Sequence, residues 1–261
     1  MRAPHLLFAL MPTVVALMIA CKQTPLPMID AGMASCIPSD TVALAGADLD
    51  RLRASPFLAS LEGSAGDLAK WHASTSRVLV GWNGTSLLTI ERGLFKMPPE
   101  GATAIDLGLA ATGAPGRIAS AEAQHRTGTT GAPGLIDYGS GIGARSAVWL
   151  AVRGGRALPL GGNLGNLNVL LQDADFAGAA LELGEQATLR FGARGHTAES
   201  AAQLEVRLRG FLSLAQEAEI HRPEIARLIA TARIVRTGRD VTATLSASPD
   251  AVAQLIAGFA R

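Results

Sequence analysis

The alternation of apolar and polar positions divides the chain into short strands and helices. Thr41 to Ala45, "TVALA", is a β-branched apolar run and predicts a strand. Asp48 follows as a helix cap, with Leu49 and Leu52 three apart on one helical face. Ser55-Pro56 predicts a second helix burying Phe57, Leu58 and Leu61, and Asp67 to His72 adds a further turn. "RVLVGW" and "SLLTIER" flank Asn83-Gly84-Thr85, a hairpin turn whose residues accept positive φ. The same three residues match a glycosylation acceptor, a reading the turn chemistry displaces. Thr103 to Ala111 predicts another strand, and Gly116 to His125 a helix.

Gly128 to Gly143 is rich in glycine and reads as a linker. Beyond it, Ser146 to Arg153 is apolar enough for a strand inside a sheet, and "GNLNVLLQ" suggests a short helix. "GAALELG" and "ATLRFGARG" form a hairpin turning at Gly184-Glu185. The longest helix is predicted from Thr197, its cap, to Glu219, with Leu204, Leu208, Phe211 and Ala215 on one stripe. A helix from Pro223, a hairpin turning at Thr237-Gly238 and a last helix from Ser248-Pro249, packing Val252, Leu255, Ile256 and Phe259, complete the order.

These elements imply an α+β protein of two similar tandem units, each an antiparallel sheet covered by helices on one face. One continuous sheet is the alternative. The expected units are residues 37–127 and 145–261, joined by a Gly-rich linker at 128–144. The long helix rich in Leu and Ala that leads into a two-stranded hairpin is similar to parts of uncharacterised exported bacterial proteins, a likeness that brings no activity.

Ahead of the body, Arg2 and His5 precede a nearly continuous apolar run from Leu6 to Ala20, followed by Cys21. A basic start, an apolar stretch shorter than a membrane span and small residues at its end form a secretory signal over residues 1–20. Leu17-Met18-Ile19-Ala20-Cys21 resembles the lipobox of bacterial lipoproteins, with Met18 replacing the usual leucine. The resemblance implies cleavage between Ala20 and Cys21 and a diacylglycerol thioether on Cys21, so that the protein meets the membrane through that anchor. Lys22, where an inner-membrane protein of that family often has aspartate, favours the outer membrane. Residues 21–36, with two prolines and no amphipathic period, read as the tether. A lipidated Cys21 would leave Cys36 without an intrachain partner, and Cys36 then reads as a small apolar residue at the core edge.

Charge and composition narrow the function. The net charge of +1 gives no global footprint for nucleic acid, and Lys22, Lys70 and Lys96 are the only lysines. Aromatic residues make up 4% of the chain, too few for stacking platforms. No Gly-Lys pair, Gly-x-Ser-x-Gly, Cys-x-x-Cys or His-Glu-x-x-His occurs, so no cofactor, metal site or catalytic residue is expected. Gly139 to Gly143 lacks dinucleotide-loop spacing. His196 near Glu199, His221 near Glu217, Glu219 and Glu224, and Asp173-Ala174-Asp175 read as solvated polar contacts. Gly161, Gly162, Asn163, Gly165 and Asn166 could present backbone amides to an anion, or simply turn the chain. The expectation is a non-enzymatic binding or structural protein of the cell envelope with a protein partner there. A carrier of a lipid or apolar ligand, and a hydrolase assembled from distant residues, are the alternatives.

Overall fold

The structure is a computed structural model, and it describes residues 29–55, 74–156, 158, 167–219, 221–248 and 251. Its strands are β1 (Ala43–Asp48), β2 (Thr75–Trp82), β3 (Leu87–Gly93), β4 (Thr103–Asp106), β5 (Leu109–Gly113), β6 (Val148–Arg153), β7 (Ala174–Leu183), β8 (Ala187–Gly195), β9 (Arg233–Thr237) and β10 (Asp240–Ala247). They join in one ten-stranded sheet in the order β4-β5-β3-β2-β1-β6-β7-β8-β10-β9. Every pairing is antiparallel.

The α+β class is as the sequence implies, but the strands form one shared sheet. β1 and β6 pair from Ala43↔Val152 to Ala47↔Val148 and fuse the two sets. Outward from that seam, β1-β2-β3-β5-β4 on one side matches β6-β7-β8-β10-β9 on the other. Each side is a three-strand meander followed by a hairpin whose second strand pairs with the third strand of the meander.

Helices lie on both faces of the sheet, not on one. In β6, Trp149 and Ala151 are buried on one face and Val152 on the other, where Val148 and Leu150 stay exposed, so both faces of this central strand carry apolar residues. On the Trp149 face lie α1 (Ala31–Ser35), α3 (Pro115–Arg126) and α4 (Pro133–Gly143), over a core that includes Leu44, Leu79, Leu88, Ile90, Ala111 and Trp149. On the opposite face, α2 (Leu49–Ala54) sets Leu49 and Leu52 against Val78, and α5 (Leu167–Leu171) sets Leu171 against Val152. There too, α6 (Ala198–Ala218) packs Leu204 on Val241, and α7 (Pro223–Ala230) packs Ile225 and Ile229 on Leu189 and Leu245.

Local signals explain most helix starts. Asp48 accepts the Arg51 amide at 3.0 Å as the cap of α2. Thr197 and Ser200 form a reciprocal capping box at the start of α6. Pro133 sits in the first turn of α4, within the segment expected to be a linker. Residues 133–143 of that segment are instead a helix, because their glycines let them lie flat on a tryptophan. A Cβ on Gly139 or Gly143 would come within 2.6 Å of Trp149 ring atoms.

Three further expectations change. Thr103 to Ala111 contains a turn at Leu107-Gly108 and forms the β4–β5 hairpin; Gly108 takes φ +66°, which glycine adopts without strain. The expected tether contains α1, capped by Asp30 and burying Met33, so folded structure begins before Cys36. Cys36 itself is fully buried in the core. The predicted helical segments at 56–61 and 67–72, and nearly all of the last helix, lie outside the described residues.

Candidate binding cleft

The two sides of the sheet share a strand order but diverge on the Trp149 face. One row of paired residues runs Gly46, Leu79, Ile90, Ala111 on one side and Trp149, Ala180, Arg190, Thr244 on the other. The next row runs Leu44, Gly81, Leu88, Gly113 and, on the other side, Ala151, Gly178, Gly192, Thr242. Leu88, Ile90 and Ala111 are fully buried in the core that α1 and α3 help to close. At the matching positions β8 and β10 carry Arg190, Gly192, Thr242 and Thr244, on a face that the helices packed against Leu189, Val241 and Leu245 leave open.

A cleft of about 320 Å³ opens where α4 steps down onto that face. Asp137, Tyr138, Gly141 and Ile142 of α4 form its wall, and β8 and β10 its floor. Gly178 and Gly192 are opposite each other in the register, and the absence of two side chains makes room for Tyr138. The Tyr138 ring stacks on Phe176 with centroids 5.5 Å apart, and the Arg194 guanidinium lies 5.7 Å from its centroid. Burial holds the Tyr138 phenol above its ordinary pKa.

Two ion pairs frame the floor. Arg190 donates to Glu182 at 2.6 Å, and Arg194 donates through Nε to Asp240 at 2.8 Å. Both pairs are part-buried. Asp137 is exposed, and neither it nor the Tyr138 and Thr242 hydroxyls has a hydrogen-bond partner among the described residues. The cleft therefore offers fixed donors, fixed acceptors and three uncommitted polar groups.

This site was not singled out from the sequence, although a signal exists. "LRFGARG" places Arg190, Gly192 and Arg194 at period two, and "DVTATLSA" does the same for Asp240, Thr242 and Thr244. Recognising those faces as open needed the position of α4.

The residues singled out beforehand lie elsewhere. Gly161, Gly162, Asn163, Gly165, Asn166, Ala20 and Cys21 are outside the described residues. His196 Nδ1 is 2.7 Å from Asp175, and its Nε2 is 3.4 Å from the Gln172 carbonyl, so acceptors take both nitrogens. Asp173 pairs with Arg207, and Asp175 also with Arg239. His221 is exposed. No group of three acidic, histidine or cysteine side chains suited to a metal occurs among the described residues.

Two further arrangements resemble chemistry without the means for it. His125 Nδ1 lies 2.7 Å from Ser35 Oγ, and its Nε2 lies 3.6 Å from Asp106. Ser35 donates its own hydrogen to the Gly32 carbonyl at 2.8 Å and is 4% exposed, so it is neither deprotonated by the ring nor reachable. Burial pushes the adjacent Cys36 thiol up to about 12, which keeps it neutral at pH 7. Near the start of α3, buried Arg117 donates to Asp40 at 2.7 Å beside a second cleft of about 390 Å³. The Arg117 Nε and Nη2 atoms have no partner among the described residues, but both are sealed from solvent.

No family model matches the chain, and no curated protein matches it. Solved structures do share its fold. Crystal forms I and III of TP0453, a Treponema protein, align with TM-scores of 0.51 and 0.52 at 11% and 10% identity. They cover 88% and 86% of this chain and 98% and 97% of theirs. Crystal form IV gives 0.50 at 10% identity over 85% of this chain. At such identities the likeness is one of fold alone.

Proposed function

We propose that the protein is an exported, lipid-anchored and non-enzymatic binding protein of the cell envelope. The observation that carries the binding role is the divergence of the two sides of the sheet. Where one side buries Leu88, Ile90 and Ala111, the matching strands keep charged and hydroxyl side chains on an open face beside α4. Burial of leucine and isoleucine stabilises a fold by about 1.5–3 kcal/mol per side chain. A polar face in their place forgoes that stabilisation, which argues for a use in binding.

The anchor rests on Leu17 to Cys21 and the outer membrane on Lys22. Among the described residues no helix is long and apolar enough to cross a membrane. The carrier of apolar ligands is less well supported, because charged and hydroxyl side chains share the lining of both clefts with the apolar ones. The hydrolase is less well supported because His196 is engaged by Asp175 and His125 by a buried serine.

Intact-mass measurement of the membrane-extracted protein tests the anchor. A mature chain starting at Cys21 with a diacylglycerol mass is expected, and Cys21→Ser should release the protein from membranes. A mature species of unmodified mass would remove the anchor from this reading.

A further inference from the structure

We propose that the cleft between α4 and the β8–β10 face binds a neutral, polyhydroxylated ligand, a saccharide of one or two rings; this rests on the binding-protein reading above. Charge comes first. Arg190 is neutralised by Glu182 and Arg194 by Asp240, while Asp137 adds an exposed carboxylate. A cleft lined by two guanidiniums and two carboxylates, with Glu182 pairing Arg190 from beside it, has no surplus positive charge to hold a phosphate or a carboxylate. A simple cation meets two guanidiniums.

Hydrogen-bonding capacity comes second. Sugar hydroxyls donate and accept at once, and the cleft places both kinds of partner side by side. Arginine edges donate, carboxylates accept, and the Thr242 and Tyr138 hydroxyls do either. The ion pairs hold those groups in position before a ligand arrives, so less side-chain entropy is lost on binding. Phe176 and the Arg194 guanidinium already pack against the Tyr138 ring, so it can contribute its hydroxyl edge rather than a stacking face. Recognition is therefore polar, and the scarcity of aromatics is no obstacle. Size comes third: about 320 Å³ lies at the small end of ligand sites, which suits one or two rings and not a long chain.

The test titrates the full-length protein in detergent with four separate probes. They are neutral hexose and N-acetylhexosamine monosaccharides, their disaccharides, inorganic phosphate, and ethanolamine as a cation. Saturation-transfer NMR and calorimetry read binding. At least one neutral saccharide should bind saturably. Thr242→Val and Asp240→Asn should each weaken it about tenfold, the loss of one hydrogen bond to a charged or fixed partner. Gly141→Gln should block it, since position 141 lines the cleft and a Cβ there meets nothing within 4 Å, leaving the fold intact by circular dichroism. If no neutral saccharide binds, or if the three variants bind as the parent does, the inference is overturned. Binding of phosphate or ethanolamine alone, lost in Gly141→Gln, also overturns it while leaving the binding-protein reading in place. Silence from all four probes overturns the saccharide assignment, and the reading beneath it is then decided by crosslinking in the envelope. Monosaccharide against disaccharide affinity separates a free sugar from the end of a glycan chain.

Discussion

Gly143 lies against the indole of Trp149: a Cβ at position 143 would stand 2.6 Å from Cδ1. The contact docks α4 on the seam of the sheet and so sets the height of the cleft wall. Gly143→Ala forces the helix or the ring to move, and overpacking of this kind costs about 1–3 kcal/mol. Gly141, on the cleft-facing flank of the same helix, has nothing within 4 Å of a Cβ placed there. Gly141→Ala should be neutral or stabilising by about 0.5–1 kcal/mol, the usual helix gain. Urea denaturation of both variants checks the contrast.

Asp30 caps α1 and pairs with Arg92. It accepts the Met33 amide at 2.8 Å, Arg92 Nη2 at 2.8 Å and Arg92 Nε at 2.9 Å. Burial pushes its carboxyl upward, but the hydrogen bonds from Arg92 and Met33 more than offset this and hold it below the ordinary 3.8. A depressed carboxyl contributes stability that is present above the unfolded pKa and lost as pH falls through the folded one. Stability should therefore decline with acid below about pH 4, and Asp30→Asn should flatten that decline. Asp30→Ala should cost about 1–2 kcal/mol at pH 7 through the lost cap alone. Denaturation midpoints across pH 2–7 measure both.

Much of the strand content was legible because it rests on local chemistry. Asn83-Gly84 forms its hairpin, Gly84 taking φ +104°, and Asp48 and Thr197 cap the helices they were expected to cap. What could not be read were features that depend on distant partners. Gly139 and Gly143 look like linker residues until Trp149 is set beneath them. Leu107-Gly108 looks like the middle of a strand until Ala104 pairs with Ala110. The cleft has the same character. Arg190, Arg194 and Asp240 alternate visibly along their strands, but nothing local tells that one side of the sheet stays bare while its counterpart is covered.

His196 offers a pH signature in the other direction. The hydrogen bond that His196 donates to Asp175 at 2.7 Å, and behind it the one to the Gln172 carbonyl and the Asp175 charge, raises the imidazole above its ordinary 6.5. A raised histidine contributes stability fully present below the unfolded pKa and lost as pH rises through the folded value. The NMR titration midpoint of His196 should lie above 6.5 in the parent and return toward it in Asp175→Asn. A parent midpoint at or below the ordinary value would exclude the pairing.

The binding role is tested most directly in the native envelope. A photo-crosslinking residue at position 141 faces the cleft, while one at position 210 sits on the outer side of α6, where a Cβ likewise meets nothing within 4 Å. In the lipidated protein, illumination should give a discrete adduct from position 141 and none from position 210. Equal labelling from the two positions, or no adduct at 141 above background, would contradict the account.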